Sequence, residues 1–332
     1  MKTIIIAEAG VNHNGKVDLA KKLISKAANS GADFIKFQTY KTEDIVISKS
    51  ALAFYQKKNL KKLKTQFQML KKYELKYQDF KKLINFAKTK KIKFLSSPFD
   101  IKSIKFLKHL KLEYYKIPSG EINNFLYLKT IGSLKKKIIL STGMSTLREV
   151  KDAVKILVKY GTKKRDITIL HCHSAYPSQP FDLNLKAIQT LKKKLKLNVG
   201  YSDHSDDIYA PIVAVSLGAK IIEKHLTLDK KMAGPDHRAS ITPLQFKKMV
   251  NLIKLTEIML GSEKKVPTKN ELINRKFVRK SLVAKIDIKK GEKFSVKNIS
   301  IKRPGTGINP MKVEKYLKKK AKKNYFKDDF II

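Results

Sequence analysis

Apolar runs that end in polar chemistry recur along the chain, each followed by a stretch with helical spacing. They are TIIIAEAG (3–10), FIKFQTY (34–40), KFLSSPF (93–99), YYKIPSGE (114–121), KIILSTG (137–143), TILHCHSAY (168–176), NVGYSDH (198–204) and KIIEKHLTL (220–228). Eight such alternations within roughly 250 residues predict an α/β fold, a closed (β/α)8 TIM barrel, over residues 1–261. The first connector carries the helical period clearly: Val17, Ala20, Leu23, Ile24, Ala27 and Ala28 share one face, and Gly31 is placed to end the helix. A Lys-rich insertion, 41–92, is helical in pattern around QMLKKYELKYQDFKKLINFAK. Beyond Gly261 the pattern changes. Residues 262–277 read as a polar linker, and 278–332 as a small β-rich domain, its short alternating runs broken by KKGE and RPGTG.

The polar ends of the runs are the more telling feature. In order they offer Glu8; Lys36 and Gln38; Ser96 and Ser97; Lys116, Ser119 and Glu121; Ser141 and Thr142; His171, His173 and Tyr176; Asp203 and His204; Glu223 and His225. Barrel enzymes build their sites at the C-terminal ends of the strands, so these groups are expected to face a shared mouth. Within IIEKHLTL (221–228), strict alternation puts Ile221, Glu223, His225 and Thr227 on one face and Ile222, Lys224, Leu226 and Leu228 on the other.

Composition narrows the class. A chain of 332 residues, 42% of them hydrophobic, suffices for one large domain and a small one. The IIIA run after Lys2 starts like a signal peptide, but Glu8 interrupts it, and no later apolar run approaches the roughly 20 residues needed to span a bilayer. With a single cysteine, Cys172, there is no internal disulfide, and a cytoplasmic protein with no membrane association is expected. The net charge of +45 is the feature that suggests another class, a polycationic nucleic-acid-binding protein. Such a protein concentrates its charge on one face. Here Lys is spread along nearly the whole chain, with Arg only at 148, 165, 238, 275, 279 and 303, which reads as bias on solvated helix faces, without a specific nucleic-acid partner.

Several residues then carry candidate chemistry. His204 and His225 end adjacent strands, so their imidazoles could share a metal whose open positions suit a catalytic ion; the alternative is two polar strand ends bonded to backbone or water. Lys36 and Lys116 lie inside strands, where two ammonium groups repel unless an anion lies between them; Ser97, Ser119 and Ser141 would add neutral donors around a phosphate or carboxylate. Either lysine alone could instead be a snorkelling surface residue. Glu8 and Glu121 are general acid or base candidates, or partners for those lysines. The HCH triplet at 171–173 reads as local packing, with Cys172 directed at the helix layer as a small hydrophobe. GPDHRAS (234–240) reads as a loop over the mouth, with Asp236 available to substrate hydroxyls.

Taken together, EAGVNHNG, IKFQTY, FLSSPFD, YKIPSGEI, ILSTGM, GYSDHS, IEKHLTLD and GPDHRAS, followed by SLVAKIDIKKGE and KRPGTGI, resemble the bacterial sialic acid synthases over nearly the whole chain. The resemblance implies condensation of phosphoenolpyruvate with N-acetylmannosamine or a related 2-acetamido sugar, releasing phosphate. The variant within this class is an N,N'-diacetyllegionaminate synthase acting on a 2,4-diacetamido-6-deoxy sugar, towards which FYQKKN and QFQMLKKYEL lean. It also implies an antifreeze-like (SAF) cap domain, a domain-swapped homodimer, and a divalent cation, commonly manganese, with magnesium or cobalt as alternatives. On that basis Lys36, Lys116, Ser97, Ser119 and Ser141 match positions holding phosphoenolpyruvate, and His204 and His225 match the metal ligands. Glu8, Gln38, Tyr176 and Asp236 match positions around the sugar, with Glu8 a proton-transfer candidate and Tyr176 grouped with the catalytic residues; Glu121 lies in the matching SGE motif. Arg303 matches the arginine that reaches from the cap to the sugar's N-acyl group, and in a chain whose cation is almost always Lys, an Arg suggests that its planar fork is needed. Ser97 stands where many relatives have Thr, and His173 and Ser174 depart from the usual residues there, a change that bears on sugar choice.

Overall fold

The computed structural model describes residues 2–60 and 62–332. The chain divides into two compact units, the first ending at Gly261 and the second spanning Ser262–Ile332.

In the first unit eight parallel strands form one sheet: β1 (Ile4–Gly10), β2 (Phe34–Thr39), β3 (Lys93–Pro98), β4 (Tyr114–Ile117), β5 (Lys137–Ser141), β6 (Ile167–Cys172), β7 (Asn198–Asp203) and β8 (Ile221–His225). Their order is β3-β2-β1-β8-β7-β6-β5-β4, and β3 lies beside β4, so the sheet is a near-closed barrel. Helices between the strands cover its outside. In the helix Val17–Asn29, Ala20, Leu23, Ile24 and Ala27 are buried, and the chain leaves it through Gly31 at φ +84°, which a side chain would oppose. Burying Leu23 and Ile24 there contributes about 2 kcal/mol each. The insertion holds four helices, Thr42–Ile45, Phe54–Asn59, Gln66–Tyr73 and Tyr77–Thr89; the last is the ordinary crossover into β3.

The alternation of strand residues separates two cores. Outward residues join the helices in the main core. Inward ones begin with an apolar plug of Ile6, Phe34, Leu95, Ile139, Leu170 and Ile221. One step along each strand towards its C-terminal end, the same inward face turns polar: Glu8, Lys36, Ser97, Lys116, Ser141, Cys172, Ser202 and Glu223. This parity corrects the expectation for Cys172. It shares the inward face with Leu170 and lines the cavity above the plug, while His171 takes the outward face and its Nε2 meets the Leu183 carbonyl at 2.8 Å.

The same parity resolves the charged strand end of β8. Glu223 and His225 point inward, whereas Lys224 is fully buried on the other side, its Nζ 2.5 Å from Asp203 Oδ2 and 2.6 Å from the Ser205 carbonyl. Asp203, expected at the mouth, is thereby a structural partner behind the sheet.

The second unit has an antiparallel pair, β9 (Ser281–Ala284) and β10 (Ile299–Lys302), over a small core of Leu282, Ile288, Phe294, Ile299, Tyr325 and Ile331. The stretch read as a plain linker contains a helix, Lys269–Val278, started by a reciprocal cap between Thr268 and Glu271. Among the described residues no helix is long and apolar enough to cross a membrane.

Candidate active site

The polar inward layer floors a cavity of about 410 Å3. Glu8, Lys36, Gln38, Ser97, Lys116, Ser119, Ser141, Tyr176, His204, His225 and Asp236 all line it, contributed by six of the eight strands and by the segments after β4, β6, β7 and β8. Two residues with assigned roles do not. Glu121 is half-buried in the short turn after β4, absent from the cavity wall, and its Oε2 accepts from Asn124 Nδ2 at 2.7 Å. That contact orients Asn124, whose Oδ1 caps the helix Phe125–Ser133, so the structure gives Glu121 a helix-start role. Arg303 is exposed in the second unit.

At the floor, Glu223 Oε1 stands 3.4 Å from both Lys36 Nζ and Lys116 Nζ, and Lys36 Nζ also lies 3.1 Å from Glu8 Oε2. Ser97 Oγ accepts from Lys36 at 3.2 Å, Ser141 Oγ accepts from Lys116 at 2.8 Å, and Ser202 Oγ donates to Glu223 at 3.0 Å. None of the four charged side chains is more than 5% exposed. Burial alone would raise the Glu223 carboxyl, but the Lys116 and Lys36 ammonium groups hold it down to about 2. Burial pushes Glu8 up to about 7, Lys36 offsetting only part and Glu223 adding to the rise. Burial lowers Lys116, and the nearby Lys36 charge works in the same direction. Near neutral pH, two ammonium groups therefore face one firmly ionised carboxylate and a second that is part protonated. The surplus is positive and favours an anionic guest.

Above the floor, the rings of His204 and His225 lie 5.3 Å apart between centroids. His204 Nδ1 donates to the His173 carbonyl at 2.6 Å, which leaves the Nε2 lone pair facing the cavity, where the Tyr176 hydroxyl reaches it at 3.1 Å. His225 Nδ1 is buried without a hydrogen-bond partner, and burial together with the neighbouring His204 holds this imidazole well below its usual range, hence neutral. His225 Nδ1 and, on exchange of its Tyr176 contact, His204 Nε2 would offer two ring nitrogens to a divalent cation. Among the described residues no third His, Cys, Asp or Glu completes a ligand cluster, so other positions would fall to water and substrate oxygen. Asp236, in the loop after β8, is buried and pushed up to about 6 by that burial.

Among the described residues, four buried side-chain polar atoms have no hydrogen-bond partner, and three belong to this cavity: Glu223 Oε2, His225 Nδ1 and Glu8 Oε2, the last met only by its ion pair with Lys36. Native interiors satisfy almost all such atoms, so their concentration here marks a ligand site. Sequence reasoning noted Glu223 only as a strand-end carboxylate and assigned it no role, although its two-residue spacing from His225 gave the signal. Ser202 bears the same spacing to His204. Tyr55, whose ring stacks on Tyr176 at 5.0 Å, comes from the insertion and had no such signal.

A barrel whose C-terminal mouth holds a buried lysine pair beneath two imidazoles defines an enzyme that handles an anion beside an electrophile or a metal. The chain belongs to the NeuB family, whose pattern matches residues 23–265. It is 51% identical over 330 residues, covering 99% of both chains, to the N,N'-diacetyllegionaminic acid synthase of Campylobacter jejuni. It is 46% identical to the Legionella pneumophila protein of the same name, over 94% of this chain and 88% of that one. Among solved structures, the N-acetylneuraminic acid (sialic acid) synthetase of Leptospira borgpetersenii, in complex with citrate, superposes with a TM-score of 0.73 at 35% identity, covering 82% of this chain and 90% of that one.

Proposed function

We propose that this protein is a nonulosonic acid synthase that condenses phosphoenolpyruvate with 2,4-diacetamido-2,4,6-trideoxymannose to give N,N'-diacetyllegionaminate and phosphate. Of the two acceptors that the sequence left open, the identity to the two N,N'-diacetyllegionaminic acid synthases favours this one over N-acetylmannosamine. The observation that carries the reaction is the buried pair Lys36 and Lys116, bridged by Glu223 and set beneath His204 and His225.

The chemistry divides among these groups. Lys36 and Lys116, with Ser97, Ser119 and Ser141, bind the phosphate and carboxylate of phosphoenolpyruvate and fix its enol carbon towards the cavity, converting a two-body encounter into a positioned one. A divalent cation, manganese by preference, would be held by His204 and His225 and would supply Lewis-acid polarisation of the open-chain sugar aldehyde. The enol C3 of phosphoenolpyruvate forms a bond to the aldehyde carbon, whose oxygen takes a proton, and positive charge develops at C2. Glu223, ionised down to about pH 2, stabilises that charge while water adds to C2 and gives up its proton; the C2–O bond to phosphate then breaks. Glu8, pushed up to about 7, can hold or release a proton near neutral pH. Gln38 and Asp236 orient the acceptor, and the Tyr176 ring packs against that of His204, centroids 4.2 Å apart, and backs it.

The second unit serves as a cap of the antifreeze-like (SAF) type, and two copies pair with caps exchanged so that Arg303 meets the partner's sugar. Leu272, Ile273, Phe277 and Val278, exposed on the helix Lys269–Val278, support a surface covered by a second copy. The single cysteine is consistent with a cytoplasmic site of action. Incubation of phosphoenolpyruvate, manganese and each sugar tests the reading: phosphate release with the diacetamido sugar, lost on chelation, is expected, and no release with either sugar would end it.

A further inference from the structure

A second cavity, of about 460 Å3, adjoins the catalytic one and shares its wall. Its lining includes Phe54, Tyr55, Asn59, Ser174, Tyr176 and Arg238, and Tyr55, Ser174 and Tyr176 also line the first cavity. The shared wall is a ring stack. Tyr176 lies against His204 with centroids 4.2 Å apart and planes 30° apart, and Tyr55 lies against Tyr176 at 5.0 Å and 23°. Running outward from the His204 ring, the order is therefore Tyr176 and then Tyr55. Asn59 Nδ2 donates to the Pro235 carbonyl at 2.8 Å, which ties the helix Phe54–Asn59 to the loop bearing Asp236 and leaves Asn59 Oδ1 free of that bond.

The chemistry of this lining complements a secondary amide. Phe54, 87% exposed, offers a face to a methyl group. Arg238 offers guanidinium donors to a carbonyl oxygen, and Asn59 Oδ1 offers an acceptor to an amide N–H. Arg238 is one of only six arginines in a chain rich in lysine, so its planar fork stands where a simple cation would have been the local habit.

We propose that this second cavity binds the 4-acetamido group of the acceptor, and that Phe54 and Arg238 determine selectivity for a 2,4-diacetamido over a 2-acetamido sugar. The inference rests on the proposed function above. With the aldehyde carbon at the histidine pair, the 2-acetamido group is one bond away and stays in the catalytic cavity beside Tyr176. The substituent on C4 projects two carbons further along the chain, beyond the first ring of the wall and towards Tyr55.

The experiment compares kcat/KM for the two acceptors in the full-length manganese-loaded enzyme and in Phe54→Ala, Arg238→Ala and Arg238→Lys. Both side chains are exposed, so folding should be preserved, which circular dichroism checks. Loss of a fitted contact group costs about 10- to 200-fold in discrimination. The diacetamido sugar should lose at least about tenfold in Phe54→Ala and Arg238→Ala, Arg238→Lys should recover only part, and kcat/KM for N-acetylmannosamine and the KM for phosphoenolpyruvate should stay within about twofold. Equal losses with both sugars, or no loss with either, would overturn the subsite. A parent enzyme that converts only N-acetylmannosamine would remove the subsite and leave the reaction class standing; one that converts neither would remove the proposed function and the subsite with it.

Discussion

Replacing Glu223 by Gln tests the electrostatic core of the site, because that one carboxylate neutralises two buried lysines. Its Oε1 lies 3.4 Å from each Nζ, and at an effective dielectric near 20 a unit pair at that separation interacts by about 5 kcal/mol. Solvent screens little, since the side chains are at most 5% exposed. Gln keeps the volume and its amide oxygen can still accept from Ser202, so the change removes charge without opening a cavity. Glu8 remains beside Lys36, leaving Lys116 with Ser141 alone. Taking away one partner of a buried pair costs about 3–5 kcal/mol, and that loss is expected for the barrel unit in urea denaturation. Two less compensated ammonium groups should also hold an anion more firmly, so inorganic phosphate should restore more stability to Glu223→Gln than to the parent. In a double-mutant cycle with Lys116→Met, the two changes together should cost at least about 1 kcal/mol less than the separate losses imply. A variant as stable as the parent, additive with Lys116→Met and indifferent to phosphate, would refute the reasoning.

The other predictions concern binding, acid stability and packing. Lys116→Met should raise the KM for phosphoenolpyruvate by at least about tenfold in steady-state assays, in keeping with loss of a charged hydrogen bond of about 1.5–3 kcal/mol; an unchanged KM would remove Lys116 from the anion site. His13 and His237 are buried, and burial lowers each to about 4, so the unfolded chain takes up their protons first as pH falls below 6.5. Stability is then complete above pH 6.5 and is lost down to about pH 4, by about 2 kcal/mol per histidine at pH 5; urea titrations at pH 7 and 5 should show this, and a slope unaltered by His13→Gln would contradict it. In Gly200→Ala the new Cβ would meet the Ile221 carbonyl oxygen and Leu170 Cδ2, both at 2.5 Å. Since the backbone oxygen cannot rotate away, a loss of about 1–3 kcal/mol is expected by thermal or urea unfolding, and a neutral effect would show that β7 and β8 can separate.

Much of the barrel was legible because its signal is local. Each barrel strand carries a β-branched or aromatic residue within its first two positions, and each observed strand falls within, or one residue from, a run read from the sequence. The placement of polar groups at strand ends was legible for the same reason, since parity along a strand decides which side chains meet. Where that parity was not followed through, the reading failed, since Cys172 shares the inward face with Leu170; where it was followed, Glu223 was placed beside His225 at the mouth but given no role. The role of Lys224 is a tertiary matter, because its partner Asp203 lies on the neighbouring strand and nothing local distinguishes that buried ion pair from a mouth residue. Glu121 follows Ser119 in the same motif, yet the short turn after β4 directs it to Asn124, a geometry that spacing does not encode. Tyr55 enters through an insertion whose helical period says only which face is apolar, and its place in the wall depends on how the helix Phe54–Asn59 is tied to Pro235. Surface lysines such as Lys71, Lys93 and Lys155 pair individually with nearby carboxylates, but with 73 basic against 28 acidic residues such pairs leave the net +45 untouched.

The central claim is that the lysine floor and the histidine pair act on one phosphoenolpyruvate and one sugar together. Its most direct test is phosphate release from phosphoenolpyruvate by the full-length protein with manganese, with N-acetylmannosamine and 2,4-diacetamido-2,4,6-trideoxymannose offered in parallel and EDTA controls alongside. The account predicts sugar-dependent release, faster with the diacetamido sugar and abolished by chelation and by His225→Ala. Release that persists in EDTA or in His225→Ala would contradict the role given to the histidine pair, and folded, metal-loaded protein that releases no phosphate with either sugar would contradict the account as a whole.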